Sequence, residues 1–195
     1  IGFHTSECFI KKKIKVIGCD NLNNFYDVNL KKDRLKILKK HKKNFKFYKI
    51  DLQNIKNLEK VIYNNKIKTV IHLAAQAGVR YSIDYPKKYF DNNVIVFFNI
   101  LEICRKFNVD LLYASSSSVY GEKKPMVENN RTKPIQFYAA TKKTNETMAS
   151  VYSKLYNFKS IGLRFFTVYG PYGRPDMSYY KFSKKIFQNK KIEIY

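Results

Sequence analysis

A chain of 195 residues, 45% of them hydrophobic, fits one domain, or one and part of a second, and can bury a real core. Its net charge of +23 invites a nucleic-acid partner, but only six of the 38 basic residues are arginine. The rest are lysines mixed with asparagine along surface stretches such as KKDRLKILKKHKKNFK (31–46), without a zinc-finger or RNA-binding signature, so no nucleic acid is expected. Cys8, Cys19 and Cys104 form no C-x-x-C pair and no metal-ligand spacing with His4, His41 or His72. That predicts free thiols in a reducing cytoplasm and no metal. No apolar run is long enough to span a bilayer, so no membrane partner is expected.

In chain order, Gly2 leads into an amphipathic stretch over 3–12, and KIKVIGCD (13–20) follows as a strand. A helical pattern over 29–41 precedes the strand FKFYKID (45–51), and another over 54–65 precedes the strand TVIHLA (69–74). Residues 86–107 read as a helix, DLLYASS (110–116) as a strand, 136–157 as a helix, KSIGLRFF (159–166) as a strand and 178–188 as a final helix. This alternation predicts an α/β fold, a doubly wound parallel sheet with right-handed crossovers. Such sheets bind ligands beyond the carboxyl ends of their strands, so the chemistry is sought there.

Asp20 ends the first strand, where an acidic residue can hold ribose hydroxyls past a glycine turn, and Gly2 would be the last glycine of that turn. A turn-forming aspartate fits the same place equally well. Asp51 ends the second strand and can reach an adenine edge. In HLAAQAGVRYS (72–82), small residues admit a ligand close to the backbone, with Arg80 just beyond and His72 read as a core histidine. ASSSSVYG (114–121) sets four hydroxyls at a strand end, a poor strand interior but a good hydrogen-bonding edge. YAATKK (138–143) places Tyr138 and Lys142 on one helical face, where a fixed ammonium favours the phenolate and makes a candidate general base. A surface tyrosine with a lysine neighbour is the plain alternative. RFFTVYGPYGRPDM (164–177) runs a strand into a Gly/Pro loop carrying Arg174, a natural partner for phosphate or carboxylate.

The blocks DNLNNFYDVNLKKDRL, HLAAQAGVRYSI, YASSSSVYG, YAATKK and GLRFFTVYGPYGRPDM resemble, in order and spacing, the extended short-chain dehydrogenase/reductases. Within that family they are most similar to the nucleotide-sugar epimerases of the UDP-glucuronate 4-epimerase group, a capsular polysaccharide type. The resemblance implies a Rossmann-like sheet lacking its first strand over 1–177, and only the start of a smaller substrate domain over 178–195. It implies NAD held by Gly2, Asp20, Asp51, Leu52, Leu73, Ala74, Ala75, Gln76, Asn93, Tyr138, Lys142 and Phe165. Ser116, Tyr138 and Lys142 would be catalytic. Arg80, Ser116, Ser117, Ser118, Tyr138, Thr167 and Arg174 would face the UDP-sugar.

The resemblance further implies UDP-glucuronate as substrate, a transient 4-keto sugar, and a homodimer in the complete cytoplasmic protein. A partial chain of this kind is expected to be inactive alone. A UDP-glucose 4-epimerase and a non-catalytic NAD- or RNA-binding fragment are the alternatives. A 4,6-dehydratase is disfavoured because Ser117 and Ser118 stand where its carboxylate pair would be.

Overall fold

The computed structural model describes residues 1–122 and 124–192. In chain order its first elements are α1 (Gly2–Lys11), β1 (Val16–Asp20), α2 (Val28–Lys39), β2 (Phe45–Lys49), α3 (Ile55–Asn64) and β3 (Thr69–His72). Two short helices follow, α4 (Tyr81–Asp84) and α5 (Pro86–Tyr89), then a π-helical turn (Phe90–Ile95) and α6 (Val96–Phe107). The chain continues through β4 (Asp110–Ser116), a 3-10 turn (Ser117–Tyr120), α7 (Phe137–Tyr156), β5 (Ser160–Phe165) and α8 (Ser178–Phe187). These elements form two compact units, Ile1–Lys49 with the chain from Thr167 onward, and Ile50–Phe166.

In the first unit, β1 and β2 pair in parallel, from Val16 opposite Phe45 to Asp20 opposite Lys49. A small core of Ile10, Leu38 and Phe45, with Phe3, Val16, Leu35 and Phe47 against it, packs the helices on this ribbon. Asp27 caps α2, its carboxylate accepting from the Asn29 amide at 2.8 Å, which sets where the helix begins.

In the second unit, β3, β4 and β5 pair in parallel in that order. Ser115 lies opposite Arg164, and Ser116 opposite Phe165. Parallel neighbours need long crossovers, and α6 and α7 supply them. Phe97, Ile100, Leu101, Ile103 and Cys104 of α6 join Leu111 and Tyr113 of β4, Leu58 and Ile62 of α3 and Ala149 of α7 in one core. Asn108 and Asn157, both at positive φ, end α6 and α7 in the left-handed conformation that asparagine tolerates.

The α/β class and the all-parallel strand set are as expected. The strands form two separate sheets, with no strand on the outer edge of β1 or of β3 among the described residues. The expected strand over 69–74 ends at His72, because Leu73 onward leaves the ladder as a loop. The expected helix over 86–107 is interrupted by the π-helical turn, which carries Asn93 into the interior at 1% exposure. Such turns recur where a side chain is aimed for function.

Candidate functional site

The catalytic candidates lie in the second unit, around the carboxyl end of β4. Lys142 of α7 is 2% exposed, and its Nζ donates to the carbonyl of Ala114 at 2.9 Å. Burial pulls its pKa down from 10.5 to about 8, so the ammonium still predominates at neutral pH while the neutral amine lies within easy reach. Tyr138, one turn earlier and half-buried, meets the ring of Tyr89 edge-on at 6.0 Å. Its backbone amide donates to Ser82 Oγ at 3.3 Å. Ser116 is buried, and its Oγ accepts from the Ser118 amide at 3.2 Å, capping the 3-10 turn. That bond uses a lone pair and not the hydroxyl hydrogen, so Ser116 retains its donor. Ser117 and Ser118 lie on the turn, half-buried.

A second cluster ties the loop after β3 to α7. Asn93 Oδ1 accepts from the Gln76 amide at 2.8 Å, and its Nδ2 donates to the Gln76 carbonyl at 3.0 Å. The same Nδ2 lies 3.1 Å from Thr141 Oγ1, which donates to the carbonyl of Tyr138 at 2.7 Å. Asn93 thus fixes the loop of Leu73, Ala74, Ala75 and Gln76 against the helix that carries Tyr138. Gln76 Nε2 is buried without a hydrogen-bond partner. Tyr89 donates to the carbonyl of Gly78 at 2.5 Å, where φ is +107°, a value glycine adopts freely. Arg80 is exposed at the start of α4.

His72 is the expected core histidine. It is 5% exposed, 5.7 Å from the ring of Phe97, and its pKa falls to about 3 through burial and the charge of Lys142. Asp51 and Leu52 directly follow Ile50, where this unit begins. Asn99 Nδ2 grips the carbonyls of Leu52 and Gln53 at 3.0 and 3.1 Å, and the Leu52 side chain packs on the core. Phe165 ends β5, half-buried.

The first unit carries the remaining candidates. Gly2 opens α1, which has no side-chain cap. Asp20 is exposed at the end of β1 and accepts from the Leu22 amide at 2.6 Å. Arg174 is engaged by Asp176 through two bonds, at 3.0 and 2.5 Å. Lys31, buried, donates to the carbonyl and side-chain oxygens of Asn23 at 2.8 and 2.9 Å. Burial lowers its pKa, with Asp20 opposing and Arg34 and Arg174 adding to the shift, so Lys31 feels both site candidates. Arg34 donates to Tyr26 Oη at 2.7 Å and to the Tyr172 carbonyl at 2.6 Å, holding the loop that leads to Arg174. Thr167 is exposed where this part of the chain resumes.

Sequence reasoning passed over several of these residues. Asn99, Thr141, Lys31 and Arg34 carry no signal beyond ordinary polar residues on helices. Glu146 does, since it continues the face of Tyr138 and Lys142 by one more turn. Of the four serines expected at a ligand edge, Ser115 turns the other way and donates to Glu146 at 2.7 Å.

Among the described residues no cluster of three His, Cys, Asp or Glu could hold a metal ion, and no helix is long and apolar enough to cross a membrane. A model of the NAD dependent epimerase/dehydratase family matches residues 1–195. Protein CapI of Staphylococcus aureus is 51% identical over 199 residues, covering 100% of this chain and 59% of that protein. The UDP-glucuronate 4-epimerase of Thermodesulfobacterium geofontis is 45% identical over 198 residues, covering 100% of this chain and 61% of its own length. UDP-glucuronic acid 4-epimerase from Bacillus cereus, solved in complex with UDP-glucuronic acid and NAD, superposes with a TM-score of 0.92 at 34% identity. That match covers 100% of this chain and 62% of the solved one. The chain therefore spans about three fifths of these relatives.

Proposed function

Because the chain belongs to the NAD dependent epimerase/dehydratase family over residues 1–195, we propose that the complete protein is an NAD-dependent 4-epimerase converting UDP-glucuronate to UDP-galacturonate. The observation that carries the reading is Lys142, buried four residues after Tyr138 on α7 and anchored to the end of β4. The residues present suit NAD. Gln76 offers a buried, unpartnered donor, Lys142 has protons beyond the one given to Ala114, Gly2 opens an uncapped helix and Asp20 presents a carboxylate. Gly2 would face the pyrophosphate, Asp20 the adenosine ribose, Asp51 and Leu52 the adenine. Leu73, Ala74, Ala75, Gln76 and Asn93 would line the cofactor, Lys142 and Tyr138 would meet the nicotinamide ribose, and Phe165 would pack near the ring. When bound, NAD supplies a reversible hydride acceptor.

Tyr138 acts as the base, taking the proton of the sugar 4-hydroxyl as the C4 hydrogen departs. Lys142 favours the phenolate by its charge. Ser116 donates to the 4-oxygen through the hydrogen that its capping bond leaves available. The 4-keto sugar then turns over and regains its C4 hydrogen on the other face, while Tyr138 returns the proton. Ser117, Ser118 and Thr167 donate to the sugar carboxylate. An ionised group leaving water needs several donors, and this one must be held still, since a β-keto acid loses CO₂ readily. Arg174 and Arg80 serve the carboxylate or the phosphates, Arg174 by exchanging or sharing Asp176.

Three further parts belong to this reading. Residues from 178 onward open the smaller substrate domain, a role suited to α8, which buries none of its side chains. The complete protein is a homodimer, supported by exposed apolar side chains on the crossover helices, Phe98 of α6 with Val151 and Leu155 of α7. It works in the cytoplasm, where its three free cysteines stay reduced. The test is Tyr138→Phe in the full-length protein. Epimerisation should fall by about 10²–10⁴-fold, the usual worth of a proton-transfer group, with an unchanged thermal midpoint. Turnover like that of the wild type would reject the assignment.

A further inference from the structure

Four donors converge on one carboxylate outside the proposed chemistry. Glu146 Oε1 accepts from Ser115 Oγ at 2.7 Å and from Arg164 Nε at 2.8 Å. Its Oε2 accepts from a terminal nitrogen of Arg164 at 3.0 Å and from Lys143 Nζ at 3.4 Å. Burial alone would raise this carboxyl, but Arg164 and Ser115 hold it below the usual range, so it is ionised at neutral pH. Arg164 also donates to the carbonyl of Glu128 at 3.1 Å and lies 4.8 Å over the ring of Tyr120, at the end of the turn that carries Ser117 and Ser118.

Each residue of this cluster adjoins a residue of the proposed chemistry. Ser115 and Arg164 are register partners on β4 and β5, and the next pair along is Ser116 and Phe165. Glu146 stands one helical turn after Lys142 and two after Tyr138. Apolar packing would hold α7 against the sheet but would tolerate small slides and rotations. A carboxylate met side-on by a guanidinium fixes both. A half-buried ion pair is a poor stability device, because desolvation consumes most of its attraction, and its better-attested use is to specify one arrangement.

We propose that Glu146 is a positioning residue for the Tyr138–Lys142 pair, its carboxylate clamping α7 to β4 through Ser115 and to β5 through Arg164. The inference rests on the epimerase reading for what the pair does, but not for the clamp itself. Removing the clamp lets α7 shift by up to about 1 Å, which withdraws Lys142 from its dry seat beside Ala114 and moves Tyr138 off the 4-hydroxyl.

The experiment uses full-length protein carrying Glu146→Ala, Glu146→Gln, Arg164→Lys or Arg164→Met. Two readouts are taken on each: kcat and KM for UDP-glucuronate, and the titration of Lys142 by lysine-selective NMR, assigned with Lys142→Arg. Glu146→Ala and Arg164→Met should lower kcat by about 10- to 100-fold, the cost of a misplacement near 1 Å, with KM within about threefold. In the same two variants Lys142 should titrate well above about 8, moving toward 10.5 as water reaches it. Glu146→Gln and Arg164→Lys, which keep part of the bonding, should fall between these and the wild type. An unchanged Lys142 titration in the folded variants overturns the proposal, whether kcat falls or not. The titration needs no substrate, so a wild type inactive on UDP-glucuronate sinks the proposed substrate and still leaves the clamp decided.

Discussion

Lys142 sets a cost and a use against each other in one side chain. Its pKa lies near 8 in the fold and at 10.5 in open water, so between those values the unfolded chain binds more protons than the folded one. Stability therefore bears the full burden of the buried charge below pH 8 and recovers as pH rises from 8 to 10.5. Lys142→Met in the full-length protein should unfold at higher denaturant than the wild type at pH 7, and the gap should narrow by pH 10. A gap that is absent at pH 7, or that widens with pH, would show that the ammonium is not held dry. The same variant should be inactive, so the residue is kept for chemistry and not for stability. Its partner at this scale, Tyr138, was legible in the sequence through the four-residue spacing. Glu146 was legible by the same logic carried one turn further, whereas Asn93 was legible only through the family resemblance: nothing in FDNNVI says that its backbone opens into a π turn to face Gln76.

At the scale of elements, the strands were legible because β-branched and aromatic runs end in turn formers, and α7 because its apolar and small residues recur at helical spacing. What escaped was where each element stops, since that depends on bonds to residues distant in sequence. The loop after His72 leaves the ladder and is held by Asn93, 17 residues on, and β4 passes straight into a 3-10 turn because the Ser116 hydroxyl caps it. That turn closes on Gly121, whose φ is +68° and where an added Cβ would lie 2.2 Å from the carbonyl oxygen of Lys133. Gly121→Ala should cost about 1–3 kcal/mol from backbone strain alone, read as a lowered thermal midpoint, and should disturb Ser117 and Ser118 beside it. A neutral substitution would mean that the turn is not built as described.

For the whole molecule, the positive charge predicts nothing about the site, whose candidates include only three cations, Arg80, Lys142 and Arg174. Lysine-rich helices such as α2 read as a solvated surface. The apolar side chains left exposed on α6 and α7 make a stronger prediction. With Phe98 42%, Val151 49% and Leu155 68% exposed, the proposed dimer of the full-length protein should become a monomer in sedimentation when Phe98→Lys is combined with Leu155→Lys, with little change in the fold. A dimer that persists would place the interface elsewhere.

Family membership was legible because five separated blocks agree in order, a coincidence that composition cannot produce, while substrate choice rests on the serines and Thr167. The most direct measurement is therefore turnover by the full-length protein, with UDP-glucuronate and UDP-glucose supplied side by side and products resolved by NMR. The account predicts UDP-galacturonate at a kcat/KM at least tenfold above that for UDP-glucose, the least that a matched charge should contribute. A preference for UDP-glucose would contradict the proposed carboxylate recognition, and failure to epimerise either sugar would contradict the function itself.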